Sequence, residues 1–350
     1  MTKLDRGPWA DSGVETIRPD VHRIPLPLPN DGLRAVNIYA LEDGDDVVLI
    51  DGGWAIPESR QVLEAGLAAL GHDLGDVSRI LVTHVHRDHY TQAVELRRLV
   101  GSRVYLGAGE RPGLDMLDEI RTEVPVTSLD TLRRAGAGEL AERVLRDMDR
   151  GEFDASVWEK PDQWLGPGVV RFERHALRVI PTPGHTRGHV VYLDESRGLL
   201  YSGDHVLPHI TPSIGFELTT SGRPLADYLD SLHLVTAFAD AELLPAHGPA
   251  GGSAHARVAE LLDHHDARLD ATIDALGRRT SDASAVARDL MWTRHAVPFA
   301  ELNAFNQMLA VNETAAHLDV LVERGRLAVE LVEGVQRYVR TDDDGTGDSR

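Results

Sequence analysis

The chain has 350 residues, 42% of them apolar and 26% charged, with a formal net charge of −20 and no cysteine. That length suggests one large domain with a smaller one beside it, and the missing cysteines exclude disulfides, thiolate metal sites and a cysteine nucleophile. The acidic balance works against polyphosphate partners. No apolar run approaches the roughly 20 residues of a membrane span, and the amino terminus shows no secretory h-region, so a cytoplasmic protein is expected.

In chain order, residues 1–18 read as a poorly ordered tail. Runs rich in Val and Ile at 22–27, 34–41 and 46–50, separated by the turn-like PNDG and EDGD, predict strands. Helical periodicity covers 58–70, with Ser59 as a cap and Gly71 as a stop. The continuous apolar run 79–83 predicts a buried strand, 90–100 a helix and 103–107 another strand. Residues 108–165 are helical and charged, an insertion between sheet elements. It is placed either to control substrate access or as a peripheral decoration. Strand patterns return at 169–174, 177–181, 189–193 and 199–203, followed by a helix at 224–238 and the segment AELLPAHG at 241–248. Two face-to-face sheets with helices outside account for this order. Beyond it, helices are expected at 253–276, 282–291, 299–310 and 312–325, the last capped by Asn312 and stopped by Gly325. RLAVEL and VQRYV then form a hairpin around Glu333 and Gly334, so this end reads as winged-helix-like. The expected division is a tail at 1–18, a catalytic domain at 19–252, a smaller helical winged-helix-like domain at 253–340 and a disordered acidic tail at 341–350.

Four clusters carry chemistry. Thr83-His84-Val85-His86-Arg87-Asp88-His89 puts four nitrogen and oxygen ligands within six residues, between a buried strand and a helix. Those ligand types suit zinc and its first-row neighbours. Thr182-Pro183-Gly184-His185-Thr186-Arg187-Gly188-His189 presents His185 on a tight turn. His189 is a second ligand or a supporting residue, with the supporting role preferred. In Ser202-Gly203-Asp204-His205 the carboxylate can bridge two metals, so Asp204 is the better ligand and His205 its neighbour. Pro245-Ala246-His247-Gly248 sets His247 at another strand end. Five histidines and two aspartates match two cations with an open position for water. Tyr90, beside His89, either reaches the substrate oxyanion or packs.

The series HxHxDH, TPGHTxGH, SGDH and PxHG resembles the metallo-β-lactamase superfamily across about residues 20–250. The resemblance implies an α/β fold, an αββα sandwich with two divalent metals at one edge. It implies that His84, His86 and His185 hold the first metal, that Asp88, His89 and His247 hold the second, and that Asp204 bridges them. Asp51, in Leu49-Ile50-Asp51-Gly52-Gly53, would support the histidine loop from behind, with His189, His205 and Tyr90 also outside the ligand set. The metals expected are zinc, with iron or manganese as alternatives that the ligands also suit.

Hydrolysis by a metal-bridging hydroxide is the expected reaction. His86 stands where the diiron flavoproteins usually have Glu, which favours hydrolysis. The TPGHTxGH motif is shared with glyoxalase II, but Tyr90-Thr91-Gln92 departs from that group's pattern. With its carboxy-terminal unit, the chain is similar to the lactamase-β-like branch, which holds an RNA-cleaving enzyme and acyl-carrier thioesterases. The substrate expected is a small-molecule thioester or ester of an acyl group. Phosphodiester cleavage, a mononuclear iron persulfide-dioxygenase-like reaction and DNA regulation are the alternatives. No basic channel stands out for nucleic acid, and the expected recognition helix, 312–324, carries three acidic residues against one Arg. The terminal unit is therefore read as a cap, a wall of the cleft or a homo-oligomer surface.

Overall fold

The computed structural model describes residues 8–11, 13–29, 32–120, 126–147, 155–216, 222–293 and 295–341. Residues 1–7 of the expected amino-terminal tail lie outside these, as does the acidic tail from 342. The chain divides into two compact units. One comprises residues 1–122, 153–212 and 228–260; the other comprises 123–152, 213–227 and 261–350.

The first unit is built on two sheets. Strands β1 (Glu15–Arg18), β2 (Val21–Pro27), β3 (Ala35–Asp43) and β4 (Asp46–Ile50) form an antiparallel run. After helix α1 (Pro57–Ala69), β5 (Val77–Leu81) joins parallel to β4. Helix α2 (Arg87–Val100) then leads to the parallel β6 (Arg103–Gly107). Helices α3 (Arg111–Ile120), α4 (Val126–Arg134) and α5 (Gly138–Asp147) precede β7 (Gln163–Leu165), which completes a seven-stranded sheet in sequence order. The second sheet, ordered β12-β11-β10-β9-β8, contains β8 (Gly168–Arg171), β9 (Ala176–Pro181), β10 (Val190–Asp194) and β11 (Leu199–Gly203). Helix α6 (Pro224–Val235) then carries the chain to β12 (Glu242–Pro245), parallel to β11. Tyr39, Leu41, Ile50 and Leu81 of one sheet share a buried core with Val179, Tyr192, Tyr201 and Leu244 of the other. The Tyr39 and Tyr201 rings meet edge-on at 5.4 Å. Burial is near-continuous along β3, β10 and β11, including Asn37 within β3.

The second unit takes the carboxy-terminal part of α7 (Ala254–Leu276), then α8 (Ala283–Arg288), the two-residue strands β13 (Met291–Trp292) and β14 (Val297–Pro298), α9 (Ala304–Glu323) and the hairpin β15 (Leu327–Val332) with β16 (Val335–Arg340). The middle of the segment expected as an insertion belongs with it. Tyr338 donates its hydroxyl to Asp319 at 2.9 Å, fixing β16 to α9.

Several expectations need correction. Residues 15–18 are a strand, not tail, because the Glu15 carboxylate takes the Arg23 guanidinium at 2.6 Å. Ser59 is no cap: Ile56 precedes a helix opened by Pro57, and the Ser59 hydroxyl donates to the Pro27 carbonyl. Residues 163–165 are part of the main sheet. The helices expected at 299–310 and 312–325 are one, capped by Asn303, whose side chain accepts from Asn306 N–H. Asn312 lies buried within that helix, its amide donating to the Gly215 carbonyl at 3.3 Å, a tertiary use of a residue type that favours helix ends. The helix expected at 90–100 begins three residues earlier, at Arg87, with His86 as its extended N-cap.

Candidate metal centre

The four chemical motifs follow strand ends. Asp51 follows β4 and the segment 82–89 follows β5; Asp204 follows β11 and His247 follows β12. These are carboxyl ends of parallel strands, the usual place for a site in an open α/β sheet. The turn 182–189 joins the antiparallel β9 and β10 and adds His185. Starting α2 at Arg87 puts Asp88 in the first helical turn, where the helix dipole favours a carboxylate.

The side chains meet in two groups: His84, His86, His185 and Asp204, and beside it Asp88, His89 and His247. His86 Nδ1 lies 3.1 Å from His84 Nε2 and 3.0 Å from His185 Nε2. Two ligands of a tetrahedral zinc with ~2.05 Å bonds would stand ~3.3 Å apart, so the spacing fits a shared cation. Asp204 faces both groups. Its Oδ2 is 3.3 Å from His185 Nε2, and its Oδ1 is 3.3 Å from His247 Nε2 and 3.7 Å from His89 Nε2. Asp88 Oδ2 lies 3.5 Å from His247 Nε2 and 3.6 Å from His89 Nε2.

In His84, His89 and His247 the ring nitrogens facing these positions are the ones left to offer a lone pair to a cation, because the opposite nitrogens are committed as donors. His89 Nδ1 donates to Asp51 at 2.9 Å, and His247 Nδ1 donates to the Ala35 carbonyl at 2.8 Å. The Thr83 hydroxyl donates to Asp51, leaving its oxygen to accept from His84 Nδ1 at 3.1 Å. Among the described residues, His89 Nε2, His247 Nε2 and Asp204 Oδ1 are buried with no hydrogen-bond partner. Buried polar atoms are normally satisfied, and lone pairs and carboxylates converging on one point repel unless a cation lies between them. The donor set therefore fits divalent metal ions. The charges agree with the geometry. Burial would lower the His89 pKa, but Asp88, Asp51 and Asp204 around it push it up to about 10, so the carboxylates hold a proton on the ring where a metal ion would take its place. Burial holds His86 down, to about 3, with His185 adding to the effect.

The support is built from backbone as much as from side chains. Asp51 sits at φ 63°, a left-handed conformation uncommon outside glycine. There its carboxylate takes Thr83 N–H at 2.7 Å, the Thr83 hydroxyl and His89. A Cβ on Gly203 would lie 2.7 Å from both His189 Nε2 and Thr83 Oγ1, so glycine is what admits these neighbours. His189 is committed outside both groups: its Nδ1 donates to Thr182 Oγ1 at 2.9 Å, and its Nε2 accepts Asp204 N–H at 3.2 Å. His205 joins neither group; its buried ring lies edge-on to Tyr228 at 5.2 Å. Tyr90, for which packing is preferred over contact with a substrate, is buried, and its hydroxyl donates to the Glu159 carbonyl.

Two supports were invisible in the sequence. Buried Asn37 donates to the Pro245 and Gly248 carbonyls at 2.9 and 2.8 Å, clamping the His247 turn, and receives Arg23 at 3.0 Å. Buried Glu110 accepts from Val85 N–H at 3.3 Å and from the Thr186 hydroxyl. Neither residue lies in a motif, and each works on main chain or side chains far away in sequence.

A family model described as the metallo-beta-lactamase superfamily matches residues 31–247, more than half of the chain. A probable metallo-hydrolase of Bacillus subtilis is 25% identical over 336 residues, covering 92% of this chain and 98% of its own. An atrochrysone carboxyl ACP thioesterase of Emericella nidulans is 22% identical over 325 residues, covering 93% and 85%. Among solved structures, a metallo-beta-lactamase family protein of Thermus thermophilus superposes with a TM-score of 0.76 at 28% identity, covering 93% of this chain and all of its own.

Proposed function

The chain belongs to the metallo-beta-lactamase superfamily and is a metallo-hydrolase, and from that premise we propose that it is a two-metal enzyme acting on a thioester or ester of a small acyl group. The observation that carries this reading is the placement of Asp204, with one carboxylate oxygen toward each histidine group. His84, His86 and His185 would hold one ion and Asp88, His89 and His247 the other, with Asp204 common to both. Zinc is the metal proposed; iron and manganese suit the same donors. Two such ions, when bound, polarise the scissile carbonyl and acidify a water so that it is nucleophilic at neutral pH.

The protein's own contribution is positional. Asp51, Thr83 and the Ala35 carbonyl hold the tautomers that point ring lone pairs into the site. The Asp204 N–H to His189 bond fixes the bridging carboxylate. Hydrolysis of a thioester breaks the acyl carbon–sulfur bond, forms a carbon–oxygen bond from water and releases a carboxylic acid and a thiol. A thioester is preferred over a phosphodiester for two reasons. The Emericella relative is named as a carboxyl ACP thioesterase, and a net charge of −20 disfavours docking of an extended nucleic acid.

A panel of acyl-coenzyme A, acyl-glutathione and aryl esters, assayed with the zinc-loaded protein, tests the proposal. Thioester turnover that falls to background in Asp204→Ala, with the circular dichroism spectrum unchanged, is the expected result. Full turnover by folded Asp204→Ala would refute the shared carboxylate.

A further inference from the structure

Outside the candidate ligand set, Glu110 is a buried carboxylate near the centre that grips two other segments of the chain. It ends the short helical turn 108–110 that follows β6 and is 4% exposed. Three donors from two other segments converge on it: Val85 N–H at 3.3 Å, the Thr186 hydroxyl, and the Gly188 backbone N–H. Val85 lies between His84 and His86, and Thr186 follows His185. A single carboxylate thus ties together the two segments whose imidazole nitrogens, His86 Nδ1 and His185 Nε2, stand 3.0 Å apart.

The approach is made possible by glycine on both sides. A Cβ on Gly107 would lie 2.0 Å from the Gly188 carbonyl oxygen, one on Gly109 2.8 Å from the Arg187 oxygen, and one on Gly188 2.1 Å from Glu110 N. With side chains at these positions the backbone of 107–110 could not lie against 187–188. Burying a carboxylate is costly, and here burial pushes its pKa up to about 7 against the hydrogen bonds that favour the anion. That cost is met at a point where the groups it organises flank three of the histidines.

We infer that Glu110 is a positioning residue of the first metal locus, clamping the His84–His86 segment to the His185 turn so that the three nitrogens are held for one cation. This rests on the two-locus reading above. The carboxylate acts through the segments and touches neither substrate nor ion. A glutamine would keep the shape, but its neutral oxygen is the weaker acceptor, and its amide adds a donor among donors.

The test is zinc affinity, measured on the full chain by chelator competition. Glu110→Gln should weaken one of two zinc equivalents by about 10- to 100-fold, the range for loss of an outer partner of a metal ligand, and leave the other unchanged. In a cycle with Asp88→Ala the full loss should persist; in a cycle with His84→Ala, which already cripples the first locus, it should vanish. Thr186→Val removes one donor from the opposite side and should move the same equivalent by a smaller factor. It decides the matter if Glu110→Gln does not fold. Unchanged affinities, or equal weakening of both equivalents, would overturn the inference. A wild-type chain that binds fewer than two zinc ions would instead sink the two-locus reading, a result recorded before any Glu110 variant is made.

Discussion

At the scale of single residues, the centre depends on side chains that never face the substrate. Asp51 is the clearest case. At φ 63° it accepts Thr83 N–H, the Thr83 hydroxyl and His89 Nδ1, so one carboxylate orders parts of both loci. Asparagine tolerates the left-handed conformation better than other non-glycine residues, so Asp51→Asn should fold while losing the charged acceptor for His89. Its zinc affinity is expected to fall by about 10- to 100-fold, read by chelator competition with circular dichroism as the control. Wild-type affinity would mean that His89 needs no partner behind it.

The residues proposed as ligands stand out in the sequence, since each lies in a compact motif and their types suit first-row metals, and the structure gathers them into two groups. Their supports do not. Asn37 grips two main-chain carbonyls more than 200 positions away, and Glu110 grips the segments around Val85 and Thr186. A lone Asn in a strand or a lone Glu after one carries no local pattern; only the three-dimensional approach gives it meaning. His189 was read as supporting rather than ligating, and its lone pair is taken by Asp204 N–H.

Among the elements, strands rich in Val and Ile are visible in the sequence, whereas helix ends are obscured where side chains serve tertiary contacts. Asn312 looked like a cap and is buried inside α9; His86 looked like loop and is the N-cap that turns Asp88 and His89 inward. The turn from β10 to β11 shows how much an element can depend on one buried charge. Asp194 is fully buried and accepts from Ser196 and Arg197, while Arg197 also pairs with Asp20. Burial alone would raise its carboxyl, but His175, Ser196 and Arg197 outweigh it and hold the group well below the usual carboxylate range. A pKa depressed by folding contributes stability that is present above the unfolded value of about 4 and is lost as pH falls through the folded one. Asp194→Asn should therefore cost about 1–3 kcal/mol near neutral pH, discounted for the partly exposed Arg197. The gap to wild type should close as the medium is acidified below about pH 4. Denaturant melts at several pH values measure this, and a gap that does not depend on pH would remove the ionic explanation.

For the whole molecule, the arrangement is a two-sheet unit that carries both groups of candidate metal ligands, and a second unit that gathers residues from three stretches of chain. The second unit was the least legible part. Its pieces at 123–152 and 213–227 are distant in sequence from 261–350, and local periodicity cannot announce such a union. The proposed function rests on the first unit, where His89 Nε2, His247 Nε2 and Asp204 Oδ1 are buried without a hydrogen-bond partner among the described residues and the candidate ligands fall into two groups.

The central claim is that both positions are used together. Metal-free protein titrated with zinc while thioester turnover is recorded tests it most directly. The account predicts little turnover through the first equivalent, a rise through the second, and a plateau at two ions per chain. Full turnover at one equivalent, or none with two bound, would contradict it.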